Sequence, residues 1–273
     1  MKNSCTRWLL LSWLAIYVSQ GLLSAATCEA DTLYDRSRAL MVERERVVSP
    51  RDFTFVVMGD SRGNDPVFRK GLALAAGYKP LFILHSGDFS MNGSEAEVDH
   101  FLEVVRDSVP DIPLFVVPGN HEQKKPFLAK VGPLDFTIDS ARLGLAMIVV
   151  DNSAYSLKMP QWSFLESQLA RKRKVAFVAM HVPPRTERWR WHTFADGAAD
   201  LIRLLAEKNV TAAFYGHVHL YDRDDIEGVP HFITGGAGAP LVKLGFPGNP
   251  VYHILVVRVM DGGATCQMVK IKE

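Results

Sequence analysis

Five short apolar runs recur along this chain, and each ends at a cluster of glycine, aspartate, asparagine or histidine residues. The runs cover residues 53–58, 81–84, 114–117, 175–180 and 212–215. Their length and their content of Val, Ile and Phe are typical of strands that are buried on both faces of a sheet. Segments with helical spacing lie between several of these runs, and this alternation predicts an α/β fold.

The helical segments have recognisable starts. Asp65 and Pro66 are a predicted cap and first-turn proline before a helix over residues 67–76. Ser94, with Glu97 in the third position after it, is a predicted capping box that opens a segment ending at Asp107. The remaining predicted helices cover residues 160–170 and 196–208, and further strands are predicted at 143–150, 231–234 and 252–259.

No internal repeat or Pro/Ser-rich linker interrupts residues 53–273, so we interpret this range as one domain. Residues 27–52 are polar and charged, which favours either a lead-in helix or a loose arm. The chain has 48% hydrophobic residues, enough for a large core. Its 31 basic and 30 acidic residues give a formal net charge of +1, and this balance does not indicate a nucleic-acid partner.

The first 26 residues have the pattern of a secretory signal. Lys2 and Arg7 precede an apolar run over residues 8–18, and the small residues Ser24 and Ala26 stand before the predicted cleavage point. The apolar run is too short to cross a bilayer. We therefore predict an exported protein, periplasmic or secreted, without a stable membrane span once the signal is removed.

Two cysteines remain in the predicted mature chain, Cys28 and Cys266. A disulfide between them would join the two ends of the exported protein. Alternatively, Cys28 carries a lipid, because it lies close to the predicted cleavage point. The sequence leaves both alternatives open, and it leaves the oligomeric state open as well.

The residues that follow the five apolar runs are metal-ligand types. In an open α/β sheet the carboxyl ends of the strands converge on one crevice, where ligands bind. Carboxylate and amide oxygens and imidazole nitrogens are donors that hold divalent metals. The candidate donors, in chain order, are Asp60, Asp88, Asn120, His121, His181, His217 and His219. Their coincidence at five strand ends predicts a metal site.

This series resembles the motifs of the calcineurin-like metallophosphoesterase family, which are D-x-H, G-D, G-N-H-[DE], a lone His and G-H-x-H. The matching positions are Asp60-Ser61-Arg62, Gly87-Asp88, Gly119-Asn120-His121-Glu122, His181 and Gly216-His217-Val218-His219. The resemblance implies a two-sheet β-sandwich flanked by helices, in four α/β/β/α layers. It also implies a dinuclear metal site at the strand ends.

The resemblance further implies a role for each donor. Asp88 would bridge two divalent ions, drawn from Mn, Fe, Zn or Mg. The second ion would be completed by Asn120, His181 and His217, and the first by Asp60 and His219. His121 would stay unligated and assist the leaving group. The implied activity is hydrolysis of a small phosphate mono- or diester by a metal-bound hydroxide, with Arg62, Asn120 and His121 contacting the substrate.

Arg62 stands where the family motif has a histidine ligand. A guanidinium has no lone pair to donate to a metal. Three hypotheses follow: the first metal site is weakened, the site holds one metal with Arg62 supplying positive charge, or another residue completes the ligand shell. The Tyr that purple acid phosphatases place three residues after the bridging Asp is Met91 here. Arg62 itself either binds the substrate phosphate or pairs with a neighbouring aspartate.

Two other functions fit parts of the sequence. Residues 59–63 match G-x-S-x-G, the nucleophile elbow of serine hydrolases, with Ser61 as the nucleophile. A degenerate family member that binds a phosphorylated ligand or partner without turnover is the second alternative, suggested by Arg62. Residues 185–192, which mix Arg and Trp, are either a lid over the substrate or a loop packed on the domain edge.

Overall fold

The computed structural model describes residues 31–242 and 245–272 and contains two mixed sheets with helices on their outer faces. The strands are β1 (Asp52–Met58), β2 (Ile83–His85), β3 (Leu114–Val116), β4 (Phe136–Ser140), β5 (Leu145–Val149), β6 (Val175–Ala179), β7 (Ala212–Tyr215), β8 (Tyr221–Ile226), β9 (Val229–Thr234), β10 (His253–Met260) and β11 (Gly263–Lys270). The helices are α1 (Leu33–Val47), α2 (Asp65–Gly77), α3 (Glu95–Ser108), α4 (Lys124–Pro126), α5 (Met159–Leu169) and α6 (Ala198–Glu207). A wide helical turn over Phe127–Val131 continues α4.

The two sheets pack face to face over an aromatic core. One sheet has the strand order β11-β10-β1-β2-β3, and the other has the order β4-β5-β6-β7-β9-β8. Phe55 of the first sheet contacts Phe177 of the second edge-to-face, with ring centroids 5.1 Å apart. A second apolar cluster joins α2 and α3 to the first sheet, and a third joins α5 and α6 to the other sheet. This arrangement confirms the predicted two-sheet α/β sandwich.

Parallel pairing brings the metal-ligand motifs to one edge of each sheet. In the first sheet β1 pairs in parallel with β2, and β2 with β3. In the second sheet β6 pairs in parallel with β5 and β7, and β7 with β9. Because parallel strands end on the same side, the loops after β1, β2, β3, β6 and β7 meet at one rim of the sandwich.

The helix starts follow the sequence signals with one correction. In α3 the Ser94 hydroxyl accepts the Glu97 N–H at 3.4 Å and the Glu97 carboxylate accepts the Ser94 N–H at 3.1 Å, so the predicted capping box is present. In α2 the cap is Asn64 rather than Asp65, since the Asn64 side chain accepts the Val67 N–H at 3.4 Å. Asp65 is instead the first helical residue.

Residues 33–47 form the lead-in helix, α1, rather than a loose arm. Met41 of α1 is 5% exposed in the central core. The Ser37 hydroxyl donates to the carbonyl of Leu114 at 2.7 Å and accepts the N–H of the same residue at 3.0 Å. The helix is thereby attached to the edge strand β3. The predicted signal over residues 1–26 and the alternatives for Cys28 lie outside the described residues.

Three strands were not predicted, and all three pair antiparallel. β4 pairs with β5, β8 with β9 and β11 with β10. β4, β8 and β11 are edge strands, and β11 alternates between exposed and half-buried residues.

None of the helices in the described part of the chain has the length and apolar character of a membrane-spanning segment.

Candidate metal centre

The predicted ligands meet in the loops at the rim where the parallel strands end. Three of them, Asp60, Asp88 and His217, have backbone φ angles of 59°, 57° and 68°, in the left-handed region. Non-glycine residues in this region are strained by about 1–3 kcal/mol each. Here the surrounding hydrogen bonds hold the strained conformation and direct the three side chains towards a common hollow.

One group of possible ligands contains Asp88, His181 and His217. Their ligand atoms all lie within 4.8 Å of one another. The Asp88 Oδ1 atom is 3.2 Å from His181 Nε2, and the Asn120 Oδ1 atom is 3.1 Å from the same nitrogen. The four residues expected around the second metal are therefore side by side.

A second group contains Asp60, Asp88 and His219, again with ligand atoms within 4.8 Å of one another. Asp60 Oδ1 is 3.5 Å from His219 Nε2. Both carboxylate oxygens of Asp60 accept the backbone N–H of His217 at 3.0 Å. Asp88 belongs to both groups, which is the arrangement that two ions sharing one bridging carboxylate require.

Hydrogen bonds outside the groups orient the histidine rings. The Nδ1 atom of His181 lies 2.7 Å from the carbonyl of Ser86, which leaves Nε2 directed at Asp88. In the same way, Nδ1 of His219 forms a hydrogen bond with the carbonyl of Pro240 at 2.7 Å, so that Nε2 is directed at Asp60. Metal-binding histidines are held by such contacts to backbone carbonyls.

His217 carries an unpaired nitrogen. Its Nε2 bonds to the Tyr155 hydroxyl at 2.9 Å, while its Nδ1 is buried and has no hydrogen-bond partner among the described residues. Buried polar atoms in native proteins are almost always satisfied. The unpaired nitrogen beside two buried aspartates fits a divalent cation, because imidazole and carboxylate donors are the set that such cations prefer.

The charges of the hollow are balanced within the protein. Burial, and to a smaller extent the nearby Asp88, raise the pKa of Asp60 well above its usual range. Burial opposes ionisation of Asp88 as well, but His181 beside it holds the pKa of Asp88 below its usual range. Burial would lower the pKa of His181, yet the Asp88 charge raises it to about 9. The His181 proton thus occupies the electrostatic position that a cation would take.

Arg62 lies beside the second group, which contains Asp60, Asp88 and His219. Its Nε is 3.8 Å from Asp88 Oδ2, and its Nη2 is 3.4 Å from His219 Nε2. The buried Nε atom has no hydrogen-bond partner in the described chain. Arg62 is thus paired with Asp88 by charge but without a direct hydrogen bond, while its Nη1 contacts the Met91 sulfur and its Nη2 contacts His219. The Nε atom is the donor left for an anion, and the predicted contact with a substrate phosphate stays a prediction.

A sequence model of the calcineurin-like phosphoesterase family matches residues 53–221. The chain belongs to this family. The matched range contains all five strand-end motifs. No curated protein sequence matches the chain.

Several solved structures share the fold of this chain. GAP50, the anchor in the inner membrane complex of Plasmodium, has a TM-score of 0.66 at 15% identity, over 82% of this chain and 86% of that chain. A purple acid phosphatase from seeds of yellow lupin (Lupinus luteus) has a TM-score of 0.67 at 16% identity, over 80% of this chain and 51% of that chain. A dimetal phosphatase from Danio rerio has a TM-score of 0.55 at 12% identity, over 81% of this chain and 99% of that chain. At these identities the likeness establishes the fold.

The family's glycines are required by the backbone around the aspartates. A Cβ atom at Gly119 would lie 2.2 Å from Asp88 Oδ1, and one at Gly216 would lie 2.6 Å from Asp60 Oδ2. Both distances are far inside van der Waals contact. A side chain at either position would therefore displace a carboxylate from the hollow.

Glu122, the last residue of G-N-H-E, joins two of the loops. Its carboxylate accepts the backbone N–H groups of Asp88, Phe89, Ser90 and Gly119 at 2.8–3.2 Å. Burial raises the pKa of this carboxyl group. No sequence signal assigns Glu122 a role, but in the structure it fixes the position of the Asp88 loop.

His121 lies at the mouth of the hollow. Its Nδ1 is 2.6 Å from the carbonyl of Met91, and its Nε2 is 3.8 Å from Asp88 Oδ2. The side chain is 28% exposed. Its Nε2 atom therefore lies near the Asp88 carboxylate on a partly exposed side chain, and its role on a leaving group stays a prediction.

The Ser61 nucleophile is not supported by its surroundings. Ser61 is buried, and its hydroxyl is 2.9 Å from Nε2 of His85, the last residue of β2. The Nδ1 atom of His85 accepts the N–H of Gly87 at 3.3 Å, so the ring proton is on Nε2. His85 then donates to Ser61 and cannot accept its proton, which a serine hydrolase requires.

The middle of the segment 185–192 packs on the domain edge, as one of its two predicted roles requires. Trp189 is fully buried and donates to Asp222 at 2.7 Å, and Arg188 forms two further bonds to that carboxylate. The lid over the substrate stays a prediction, and the end of the segment is exposed near His217. Trp191 is 67% exposed, and the His192 ring lies 6.0 Å from the His217 ring.

Tyr155 is expected to hold the His217 ring for metal binding. It follows β5 in a loop without any motif, and sequence reasoning did not find it. We expect Tyr155→Phe to lower the affinity for Mn²⁺ by roughly 10- to 100-fold, as loss of an orienting hydrogen bond to a metal-binding histidine does. Calorimetric titration of the metal-free protein checks this result. Tyr78→Phe, at an exposed site in the structure, is the control, and equal affinities in the two variants would contradict the role.

Proposed function

We propose that this protein is a metal-dependent phosphoesterase that binds two divalent ions and hydrolyses a small phosphate mono- or diester. The observation that carries the proposal is the membership of Asp88 in both ligand groups. A shared carboxylate between two sets of oxygen and imidazole donors suits a two-metal centre. Family membership supports the same class of reaction.

The residues divide into two ligand sets. Asp88, Asn120, His181 and His217 would hold one ion, and Asp60, Asp88 and His219 the other. When bound, such a pair of ions lowers the pKa of water and neutralises charge in an in-line displacement at phosphorus. Mn, Fe, Zn and Mg all suit these donors, since the set contains no thiolate.

The remaining site residues act on the substrate. Arg62 and the Asn120 amide would bind phosphate oxygens, because Arg62 lies beside Asp88 and His219, Asn120 lies beside His181, and both side chains carry N–H donors. In hydrolysis the bond between phosphorus and the alcohol oxygen breaks, and the alcohol must leave with a proton. His121 would give that proton from Nε2, since its Nδ1 is held by the Met91 carbonyl.

A second function is favoured by one observation. Arg62 lies between Asp88 and His219, where its positive charge opposes an ion held by Asp60, Asp88 and His219. A family member of this kind would bind a phosphorylated ligand or partner without turnover.

We further propose that the protein is exported, on the basis of the signal pattern in residues 1–26.

Metal removal tests the proposed function. With 4-nitrophenyl phosphate as substrate, we expect turnover in the presence of Mn²⁺, loss of turnover with chelator, and recovery when the metal is restored. With ethyl phosphate, whose alcohol is a poor leaving group and needs a proton, His121→Ala should reduce turnover about 100-fold or more, as loss of a general acid does. Tight phosphate binding without turnover would favour the ligand-binding alternative. Activity that survives the chelator and disappears in Ser61→Ala would favour the serine hydrolase.

A further inference from the structure

A cavity of about 450 Å³ opens between α2 and α3, outside the two ligand groups. Its walls include Phe68 from α2, Phe89 and Met91 from the loop after β2, and Phe101 and Val104 from α3. Cavities of this size and apolar character are typical of small-molecule sites. The proposed function gives this space no role.

The polar side chains of the wall are already paired. Asp65 contacts His100 across the rim. The Glu97 carboxylate is used by the α3 cap and by the N–H groups of Met91 and Asn92. Among the described residues, the wall contains no Lys or Arg side chain. An anionic group would therefore find no cationic partner in this cavity. An apolar group would be stabilised there, because its surface would be removed from water.

The cavity adjoins the metal centre through Met91. The Met91 sulfur is 3.8 Å from Arg62 Nη1, and the Met91 carbonyl holds the His121 ring at 2.6 Å. Met91 is 52% exposed, so it stands at the mouth of the cavity. Ser61, on the wall, directly follows Asp60. An ester whose phosphate lies beside Arg62 and His121 can thus direct its alcohol group into the cavity.

We propose that the cavity binds the alcohol part of the substrate, and that this part is an apolar group with an aromatic ring. This inference rests on the proposed function. The three phenylalanine rings favour an aromatic occupant, because aromatic pairs attract each other beyond the burial of their area. The substrate class is then a phosphate ester of an aryl or arylalkyl alcohol, not of a sugar or a polyol.

Two esters with similar alkyl leaving groups test this inference on the metal-loaded full chain. We expect kcat/KM for 2-phenylethyl phosphate to exceed that for ethyl phosphate by about 10- to 100-fold, since burying one aromatic side group has roughly this effect. Ala96 lines the mouth of the cavity and is exposed. Ala96→Trp should fill the mouth of the cavity and bring the ratio of the two kcat/KM values close to one.

Glu103→Trp is the control, because Glu103 is exposed on the same helix and lies outside the cavity wall. This variant should keep the ratio of the unaltered protein.

A ratio near one in the unaltered protein, or a ratio that survives Ala96→Trp, would overturn the inference. Thermal unfolding of both tryptophan variants establishes that each is folded. Direct binding of 2-phenylethanol, measured by calorimetry without metal, separates this inference from the proposed function. Binding that is lost in Ala96→Trp supports the cavity even if neither ester is hydrolysed, and absence of binding to the unaltered protein counts against it.

Discussion

Replacing Asp88 by asparagine is expected to prevent binding of both ions and to reduce phosphoesterase turnover by about a thousandfold or more. Asp88 is the one carboxylate present in both ligand groups. Asparagine keeps the size of the side chain but removes the negative charge that both ions share. Metal ions contribute several kcal/mol of charge stabilisation in such reactions, and about 1.4 kcal/mol corresponds to a factor of ten in rate. Metal content per chain and kcat/KM in the presence of Mn²⁺ are the measurements.

Asp261→Asn is the matched control for this change. Asp261 is exposed and lies in a turn with a positive φ angle, which asparagine tolerates well. The control should keep the metal content and turnover of the unaltered protein. If Asp88→Asn retained two ions, the bridging role of Asp88 would be wrong.

Replacing Arg62 by histidine is expected to raise the number of ions per chain, at limiting metal concentration, from about one to about two. The structure places the Arg62 side chain between Asp88 and His219, in the ligand group that also contains Asp60. An imidazole there would remove the positive charge and add a lone pair that the guanidinium lacks. We expect the affinity of the weaker site to increase by at least about tenfold, which calorimetric titration measures.

Arg62→Leu separates the two effects of this substitution. Leucine removes the charge but provides no ligand. If the weaker metal site gains the same affinity for Mn²⁺ in both variants, then the positive charge of Arg62 is what weakens that site. The missing histidine ligand would then not be the cause. An unchanged stoichiometry in Arg62→His would count against a weakened first metal site.

That the candidate ligands come together could be predicted from the sequence, because they follow buried parallel strands. Residues such as Asp88 and His181 come directly after apolar runs, and the ends of parallel strands meet whatever the details of the helices. The glycines next to them are part of the same signal, as the close approach of Gly119 to Asp88 shows. Local pattern and tertiary arrangement agree at these positions.

Other parts of the structure depend on long-range contacts that no sequence pattern indicates. Strand β8 contains Asp222, Arg223, Asp224 and Asp225, and it is a strand because its backbone pairs with β9 at the sheet edge. Tyr155 acts through one hydrogen bond to a residue 62 positions away. Asn152, in the same loop, accepts the N–H groups of His181 and Val182 at 3.0 Å. Such long-range partners have no periodicity or motif from which to predict them.

The most direct test of the account is a crystal of the full chain soaked in Mn²⁺, with an anomalous difference map at the manganese edge. We expect two peaks about 3.5–4 Å apart, one on each side of the Asp88 carboxylate. One should lie near Asn120, His181 and His217, and the weaker one near Asp60 and His219. A map without a peak in this hollow, or with manganese bound only elsewhere, would contradict a metal centre formed by these loops.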